Sequence, residues 1–229
     1  MINHICKTHK SADNQDNIEI MRSSEPTVEG NLAIDESLAR EAGLTGRRVL
    51  RLWWGSGITA VLGCADKPEK SLNLDNCARL GVGWVKRITG GGTVLQTHGV
   101  FNYSYTAPSY GRLDMQQVFS QGADLIVSVL SDFGVNARQR GISDVAVGDF
   151  KISGNAQARK WHAILLHGTI LVDVDFDLVE AILRHPAKEP EYRRHRPHKE
   201  FLTTLRDLGM ILPKAEIEAA FAQSAAIFS

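Results

Sequence analysis

Two short segments of this sequence combine residue types that can hold and activate an acyl or anionic ligand. The first, Lys151 to Thr169 (KISGNAQARKWHAILLHGT), opens with a lysine, continues with small polar residues and ends in His-Gly-Thr. The second, Arg87 to Val94 (RITGGGTV), contains three consecutive glycines, so a ligand can lie directly against its peptide groups. Successive N–H groups in such a turn can bind an anion, and Arg87 could pair with a carboxylate or phosphate.

The glycine segment fits neither the dinucleotide-binding fingerprint nor the P-loop. The triple glycine is not a GxGxxG sequence that opens a helix, and no GK[ST] follows it. Taken alone, each segment also fits a surface hairpin, with a solvated lysine in one and a flexible turn in the other. The elements around them decide between these interpretations.

Strands and helices are interleaved around the two segments. The clearest helix is Asp114 to Phe133, where Asp114 and Gln117 form a capping box and Gly134 follows the last turn. We predict other helices over 30–43 (capped by Asn31 and stopped by Gly43), 71–80, 177–183 and from Pro213 to 227, and strands over 48–54, 58–62, 84–88, 101–106, 142–147, 163–166 and 169–174. Short turns between successive strands favour an α+β fold with a mixed, largely antiparallel sheet flanked by helices.

Composition excludes several classes of protein. The chain has 229 residues, 43% of them apolar, and its 26 basic residues balance 26 acidic ones. No overall field therefore attracts nucleic acid or an anionic membrane, and no apolar run approaches the roughly 20 residues of a membrane helix. The N-terminus lacks the apolar core of a signal peptide. We predict a flexible lead-in over residues 1–28 and a single domain over 29–229, cytoplasmic and bound to neither nucleic acid nor membrane.

The cysteines Cys6, Cys64 and Cys77 are odd in number and have neither CxxC spacing nor paired histidines nearby. This pattern argues against a disulfide framework and a structural zinc site, and it favours a reducing compartment.

Four motifs in order resemble the lipoate–protein ligase and octanoyltransferase family, whose members are relatives of biotin–protein ligase. They are Arg-x-Thr-Gly-Gly-Gly-Thr-Val, a Ser-Asp before a strand, Lys-Ile-Ser-Gly-Asn-Ala-Gln and Leu-Leu-His-Gly-Thr-Ile-Leu-Val-Asp, with NLAIDESL and VLGCAD as further matches. The likeness is closest to the lipoate–protein ligase catalytic domain. It implies a sheet flanked by helices, related to the catalytic domain of class II aminoacyl-tRNA synthetases.

The resemblance also implies a reaction and a site. A ligase joins lipoate to ATP, giving lipoyl-AMP and pyrophosphate, and then transfers the lipoyl group to a lysine of a lipoyl domain or other lipoyl carrier protein. Lys151 matches the family lysine that contacts the acyl carbonyl or acyl-phosphate, so its catalytic role would be charge stabilisation and not nucleophilic attack. Asp144 matches an acidic position near the nucleotide and its magnesium, where one carboxylate plus phosphates suffices. The acyl and nucleotide pocket would be lined by Arg87 at its rim, Gly90, Gly91, Gly92, Thr93, Asn102, Ser153, Gly154, Asn155, Gln157, His167, Gly168 and Thr169.

Two alternatives stay open: an octanoyl or lipoyl transferase that acts between carrier proteins without ATP, and a non-catalytic module that binds a lipoyl group or partner. Transferases of the family use a cysteine thioester, in one branch about fifteen residues before the lysine, where Asn136 stands here. No cysteine is near that position in sequence, which favours the ligase. Against the ligase, Glu200 to Leu205 matches the adenylate-binding loop poorly. The roughly 50 residues after Asp175 are too few for the accessory domain that many ligases carry, so an accessory ligase subunit is a further expected partner.

A basic segment, Arg193 to Lys199 (RRHRPHK), has two interpretations. It could capture ATP phosphates or dock an acidic lipoyl domain by charge, or it could be a solvated loop. His195 and His198 could also bind a metal, although the sequence shows no third ligand.

Overall fold

The computed structural model describes residues 18–109 and 114–228. The strands in this part of the chain are β1 (Glu19–Arg22), β2 (Val49–Trp54), β3 (Thr59–Leu62), β4 (Gly83–Lys86), β5 (Val94–Gln96), β6 (Val100–Pro108), β7 (Ala137–Arg140), β8 (Asp144–Val147), β9 (Phe150–Lys160) and β10 (Ala163–Leu171). The helices are α1 (Val28–Thr45), α2 (Pro68–Ser71), α3 (Leu74–Leu80), α4 (Met115–Asp132), α5 (Phe176–Ile182), α6 (His198–Phe201) and α7 (Lys214–Gln223), with 3-10 turns at Glu191–Arg193 and Ser224–Phe228.

The strands form two sheets. The larger sheet has seven strands in the order β1-β2-β6-β10-β9-β8-β7 and is antiparallel except for the β1–β2 pair. The smaller has the order β4-β3-β5, with β4 parallel and β5 antiparallel to β3. This arrangement confirms the predicted mixed, largely antiparallel sheet flanked by helices.

The two faces of the larger sheet have different surroundings, and because side chains alternate along a strand, each strand contributes to both. On one face, which we call the core face, Tyr103 and Leu166 belong to a hydrophobic core that also contains Val129 and Phe221 from helices α4 and α7. On the other, which we call the cleft face, α1 packs on β6 and β10. The smaller sheet also reaches the cleft face and forms a separate core with α3 and α5.

Helix α1 is longer than the sequence predicted, and its ends differ. Thr27 caps it by accepting the backbone N–H of Gly30, and Gly46 ends it in the left-handed region at φ 82°. Asn31, the predicted cap, is fully buried inside the helix. Gly43, the predicted stop, lies within the helix. It is a glycine because a Cβ there would stand 1.8 Å from the carbonyl oxygen of Trp161. This glycine serves close packing instead of termination.

Other differences concern continuity. The prediction of two strands over 163–166 and 169–174 is wrong, because His-Gly-Thr lies inside the single strand β10. Strand β1 lies inside the predicted lead-in, and Ile18 and Ile20 pack against the main core. Residues 1–17, which include Cys6, lie outside the described part of the chain. The capping box of α4 is present as predicted, with Asp114 and Gln117 each accepting the other's backbone N–H. Within residues 18–109 and 114–228, no helix has the length and apolar character needed to cross a membrane.

Candidate active site

A β-bulge places Lys151 on the cleft face. Lys151 opposes Ala146 and Gly154 opposes Asp144, with a register shift between the two pairs. Residues three apart on a regular strand point to opposite faces, so the extra residue in β9 lets Lys151 and Gly154 share one face. The Lys151 ammonium Nζ lies 2.7 Å from Oδ1 of Asp144, and the lysine side chain is 26% exposed. The charge is therefore fixed in direction yet open to a ligand.

Gly154 leaves the space that the lysine occupies. A Cβ at this position would stand 2.9 Å from Nζ and 3.0 Å from Cε of Lys151. Thr169, directly across from Gly154 on β10, is partly exposed on the same face. These three predicted site residues thus come together as a small open patch.

The far side of Lys151 is closed by residues on both sides of the basic segment in sequence, Tyr192 before it and Thr203 after it. Asp144 Oδ2 accepts a 3.0 Å hydrogen bond from the hydroxyl of Tyr192, a residue that sequence reasoning missed. The backbone N–H of Thr203 donates to the Lys151 carbonyl at 2.9 Å. The segment Glu200 to Leu205 therefore lies beside the lysine, where the adenylate-binding loop was sought, although its sequence matches that loop poorly.

Arg87 organises the glycine loop instead of standing at its rim. Its Nη2 donates to the carbonyls of Gly90 and Gly92, both at 2.7 Å, its Nη1 donates to the carbonyl of Val61, and its Nε donates to the Thr89 hydroxyl. Burial lowers the pKa of Arg87 to about 10, opposed by the charges of Asp66 and Cys64. The side chain is buried and still cationic at neutral pH, so it shapes the loop from inside.

His167 connects this loop to a buried ion pair under α1. Its Nε2 lies 2.7 Å from the Thr89 hydroxyl, and because that hydroxyl accepts from Arg87, we assign the Thr89 proton to this bond. Its Nδ1 lies 3.6 Å from Oδ2 of Asp35, a fully buried carboxylate oxygen with no hydrogen-bond partner. The other oxygen of Asp35 accepts from Arg51 and Ser104 at 2.7 Å. The glycine loop is thus tied to the sheet through one histidine on the cleft face.

The alternation of β9 and β10 sends the other predicted residues to the core face. Asn155 is buried, where its Oδ1 accepts the Tyr103 hydroxyl at 2.6 Å and its amide donates to the Ser143 carbonyl. Gly168 gives Asn155 this space, since a Cβ there would stand 2.1 Å from Asn155 Oδ1. Gln157 donates to the Met115 carbonyl, and Ser153 is 1% exposed. As arranged, these four residues lie on the core face and do not line the cleft.

Two further predicted residues, Asn102 and Thr93, make side-chain hydrogen bonds that involve the smaller sheet and its turns. Asn102 faces the cleft side but is 3% exposed, because its amide exchanges hydrogen bonds with the amide of Gln96. The Thr93 hydroxyl donates to Asp66 at 2.8 Å. Gly90, Gly91 and Gly92 stay partly or fully exposed, and only Gly91 needs glycine conformationally, at φ 86°.

The basic segment is folded, and its arginines are not equivalent. Arg193 is buried, while Arg196 donates to the carbonyls of Arg193, Glu200, Asp149 and Tyr192. Both therefore fix the segment on which Tyr192 lies. Arg194, His195 and Lys199 are exposed. Burial and the charge of Arg193 lower the pKa of His198, which is 7% exposed. His198 is buried and is not among the ligand-type side chains that meet at His195, so the structure does not bring these two histidines together as a metal pair.

Asp144 does not fit a magnesium ion as it stands. One oxygen pairs with an ammonium at 2.7 Å and the other accepts from Tyr192. A dication would have to displace the lysine, because like charges this close repel strongly in a partly buried site. In this arrangement Asp144 is the partner of Lys151 and Tyr192 and not a ligand for magnesium.

Two of the clefts in the described part of the chain bear on the site. One of about 360 Å³ lies between α1 and β4, with Leu165 and His167 from the cleft face. Leu32, Ala33, Val85 and Ile88 supply further apolar lining, while Glu29, Glu36 and Lys86 supply charge. A larger cleft of about 530 Å³, lined by Trp54, Ile58 and Ile211 among others, contains none of the predicted site residues. The smaller cleft is therefore the one joined to the candidate site.

The described cysteines differ in exposure. Cys77 is buried, whereas Cys64 is exposed and its backbone N–H donates to the Thr89 carbonyl at 2.9 Å. Cys64 is thus distant from Lys151 in sequence but lies beside the glycine loop.

The chain is similar in sequence to lipoyl protein ligases and to an octanoyltransferase. The family model for the lipoyl protein ligase A/B catalytic domain matches residues 27–226. Lipoate–protein ligase 1 of Staphylococcus aureus is 30% identical over 166 residues, 72% of this chain and 49% of that protein. Octanoyltransferase LipM of Kyrpidia tusciae is 29% identical over 223 residues, 84% of this chain and 80% of that protein. This chain spans between 49% and 63% of the length of three curated ligases that it matches.

Among solved structures, the fold is shared with a chain from the archaeal lipoylation system of Thermoplasma acidophilum. That study describes a bi-partite lipoate protein ligase and its E2 lipoyl domain. The TM-score is 0.79 at 25% identity, over 90% of this chain and 81% of that one.

Proposed function

The chain belongs to the lipoyl protein ligase A/B catalytic domain family, and from this premise we propose that it activates lipoate with ATP and transfers the lipoyl group to a lysine of a lipoyl carrier domain. The observation that carries the proposal is the placement of the Lys151 ammonium. It is held by Asp144, is 26% exposed, and shares the cleft face with His167 and the glycine loop bound to it.

The chemistry needs a fixed positive charge at this point. In the first step a lipoate carboxylate oxygen attacks the α-phosphorus of ATP, and pyrophosphate leaves. In the second step the acceptor amine attacks the carbonyl carbon of lipoyl-AMP, AMP leaves, and the amine loses a proton. Negative charge builds on phosphate and carbonyl oxygens in both steps, and a preorganised ammonium stabilises it without reorganisation. Lys151 takes this role in our proposal, with Gly154 leaving it room.

The acyl chain would enter the cleft of about 360 Å³ beside α1. Leu32, Ala33 and Leu165 supply apolar surface there, and His167 joins that cleft to the glycine loop. Since apolar walls with a few fixed polar groups are typical of small-molecule sites, this cleft suits a medium-length acyl chain. The exposed Gly90 to Gly92 would lie over the acyl end, with Arg87 holding their backbone from below.

The acceptor and the accessory component follow from the relatives. A lipoyl domain is part of the Thermoplasma system that this chain resembles, and the ligase there is bi-partite. We therefore propose a lipoyl domain as acceptor, and an accessory ligase subunit as a further partner.

The experiment supplies each donor separately to an apo lipoyl domain. One arm contains lipoate, ATP and Mg²⁺, with and without the accessory subunit of a bi-partite relative, and the other contains octanoyl-carrier protein without ATP. Intact-mass measurement of the acceptor should show a lipoyl adduct only in the ATP arm. An adduct that forms from octanoyl-carrier protein alone would overturn the ligase proposal. No adduct in any arm, with a working ligase as positive control, would favour the non-catalytic binding module.

A second candidate, acyl transfer between carriers, is favoured by the likeness to octanoyltransferase LipM over 84% of this chain. The exposed thiol of Cys64 lies beside the glycine loop and would be the nucleophile of that reaction. Cys64→Ser distinguishes the two functions. The substitution leaves an ATP-dependent ligase active and abolishes thioester formation, which intact-mass measurement of the protein itself detects.

A further inference from the structure

Three ligand-type side chains meet beside the basic segment, away from the glycine loop. The imidazole Nε2 of His185 lies 2.8 Å from Oε2 of Glu189, and Nδ1 of His195 lies 2.9 Å from Oε1 of the same carboxylate. The three ligand atoms all fall within 4.8 Å of one another. The sequence pointed to His195 with His198, but the structure pairs His195 with two residues of the preceding loop.

The backbone holds this cluster in place. Arg194 and His195 both adopt the left-handed region, at φ 53° and 57°, which costs energy in residues other than glycine. The backbone N–H of His195 donates to Glu189 at 2.9 Å, which fixes the turn. Burial acts to raise the pKa of Glu189, but the His195 N–H and the His185 ring outweigh it, so the pKa lies below its ordinary value and the carboxylate is ionised.

We propose that His185, Glu189 and His195 bind a divalent transition metal, with zinc as the reference ion. Two imidazoles and one carboxylate form a three-ligand set that leaves a fourth, water-filled position on zinc, and imidazole nitrogen selects zinc, copper or nickel over magnesium. The exposed side of the cluster gives the ion an entry path, because the His195 side chain is 90% exposed and that of His185 is 43% exposed. The ion would replace the hydrogen bond between the His185 ring and Glu189 and the close contact between the His195 ring and the same carboxylate.

Metal binding would clamp the segment that carries Tyr192. His185 and His195 flank the 3-10 turn Glu191–Arg193, and Glu189 also lies 3.5 Å from Arg193 at the end of that turn. Tyr192 donates to Asp144, which pairs with Lys151. The metal would therefore rigidify the wall beside the candidate active site without entering it.

The test measures zinc binding to the full chain by competition with a chromophoric chelator, and needs no catalytic assay. Wild type should bind one more equivalent than each of His185→Ala, His195→Ala and Glu189→Ala. The difference is the readout, because His4, Cys6 and His9 near the N-terminus can also bind zinc. At a hundredfold excess over Kd, zinc should raise the Tm of wild type on the order of 5 °C more than that of the variants.

His162→Ala is the matched control. His162 is exposed and has the same φ of 57° as His195, so its substitution imposes the same change of residue in the same backbone conformation. It should keep every equivalent. Equal stoichiometry and affinity in wild type and the three cluster variants would overturn the proposal, as would loss of the same equivalent in His162→Ala. Either result leaves the proposed acyl chemistry untouched, since no step of it uses this cluster.

Discussion

The two faces of strands β9 and β10 both carry polar residues, but these residues differ in exposure and in how fully they are hydrogen-bonded. On the cleft face, Lys151 stays 26% exposed and keeps a polar partner on one side only. On the core face, Asn155 is 8% exposed and both ends of its amide are bonded. One continuous motif thus supplies a candidate catalytic group and a structural anchor that lie a few residues apart.

The two faces also differ at their glycines, Gly154 on the cleft face and Gly168 on the core face, so the same residue type can be compared on both. Gly154 opens space for a flexible lysine end, whereas Gly168 opens space for a fixed amide and the ring of Tyr103. A glycine next to a mobile group can be replaced at a functional cost, while a glycine next to fixed groups can be replaced only at a structural cost. Substitutions on each face should therefore separate activity from stability.

The largest effect should come from Lys151→Ala. Loss of a preorganised charge donor lowers the rate of such reactions by about 10² to 10³, and kcat/KM for acceptor acylation should fall by that amount. Asp144 loses its ion partner but keeps the hydrogen bond from Tyr192, so the midpoint of urea unfolding should fall far less than the activity does. Lys160→Ala, at the exposed end of the same strand, is the control and should keep full activity. Activity of Lys151→Ala within about threefold of wild type would assign Lys151 to the fold alone.

The next effect belongs to the core face. In Gly168→Ala the new methyl group would meet Asn155 Oδ1 at 2.1 Å and a ring carbon of Tyr103 at 2.7 Å. Overpacking and the disturbed hydrogen bond together should lower the free energy of unfolding by about 3 kcal/mol, measured by urea denaturation. The fraction that remains folded should show wild-type kcat. A stable variant with lost activity would mean that Gly168 faces the ligand after all.

Gly154→Ala makes the same substitution on the cleft face with the opposite expected outcome. The methyl group would push the lysine end, 2.9 Å away, from its place beside Asp144. We expect kcat/KM to fall about tenfold, because a displaced charge stabilises the transition state less well. Stability should stay the same or rise by roughly 0.5 kcal/mol, since alanine suits a strand better than glycine. Equal losses of stability in the two glycine variants would remove the distinction between the faces.

Much of the fold could be predicted from the sequence because local signals and packing agree there. Helix α4 has a capping box and an apolar stripe, and both are present in the structure. The failures occur where tertiary contacts decide. Gly43 looked like a helix stop because its close packing against Trp161 comes from a residue far along the chain. The sequence predicts a break between strands at His-Gly-Thr, because it does not show that Asn155 and Tyr103 pack against Gly168 and make glycine necessary within a strand.

For the candidate site, the sequence named residues but could not give their geometry. The motifs located Lys151, Asp144 and His167, which the structure brings to one face. Period-two alternation alone would have placed Lys151 and Gly154 on opposite faces, and the bulge that corrects this depends on the register with β8. Tyr192 contacts Asp144, which is more than 40 positions away, and Asp35 reaches His167 because α1 packs on the sheet. No local sequence pattern predicts such contacts.

The smallest effect should follow from Tyr192→Phe, which tests how much of the Lys151 site depends on its outer wall. Burial and the charge of Asp144 raise the pKa of Tyr192, so the phenol stays neutral and donates to Asp144 Oδ2. Removing the hydroxyl leaves Asp144 paired with Lys151 through its other oxygen, so kcat/KM should fall only about threefold and stability by about 1 kcal/mol.

The counterpart on the core face is Tyr103→Phe, which removes the 2.6 Å hydrogen bond that the Tyr103 hydroxyl donates to Oδ1 of buried Asn155. That variant should lose stability by about 1 to 2 kcal/mol, because it leaves the buried Asn155 Oδ1 without its donor, while kcat stays unchanged because Asn155 lies on the core face. If both tyrosine variants change activity to the same extent, Asn155 contacts the reacting groups and the division between the two faces fails.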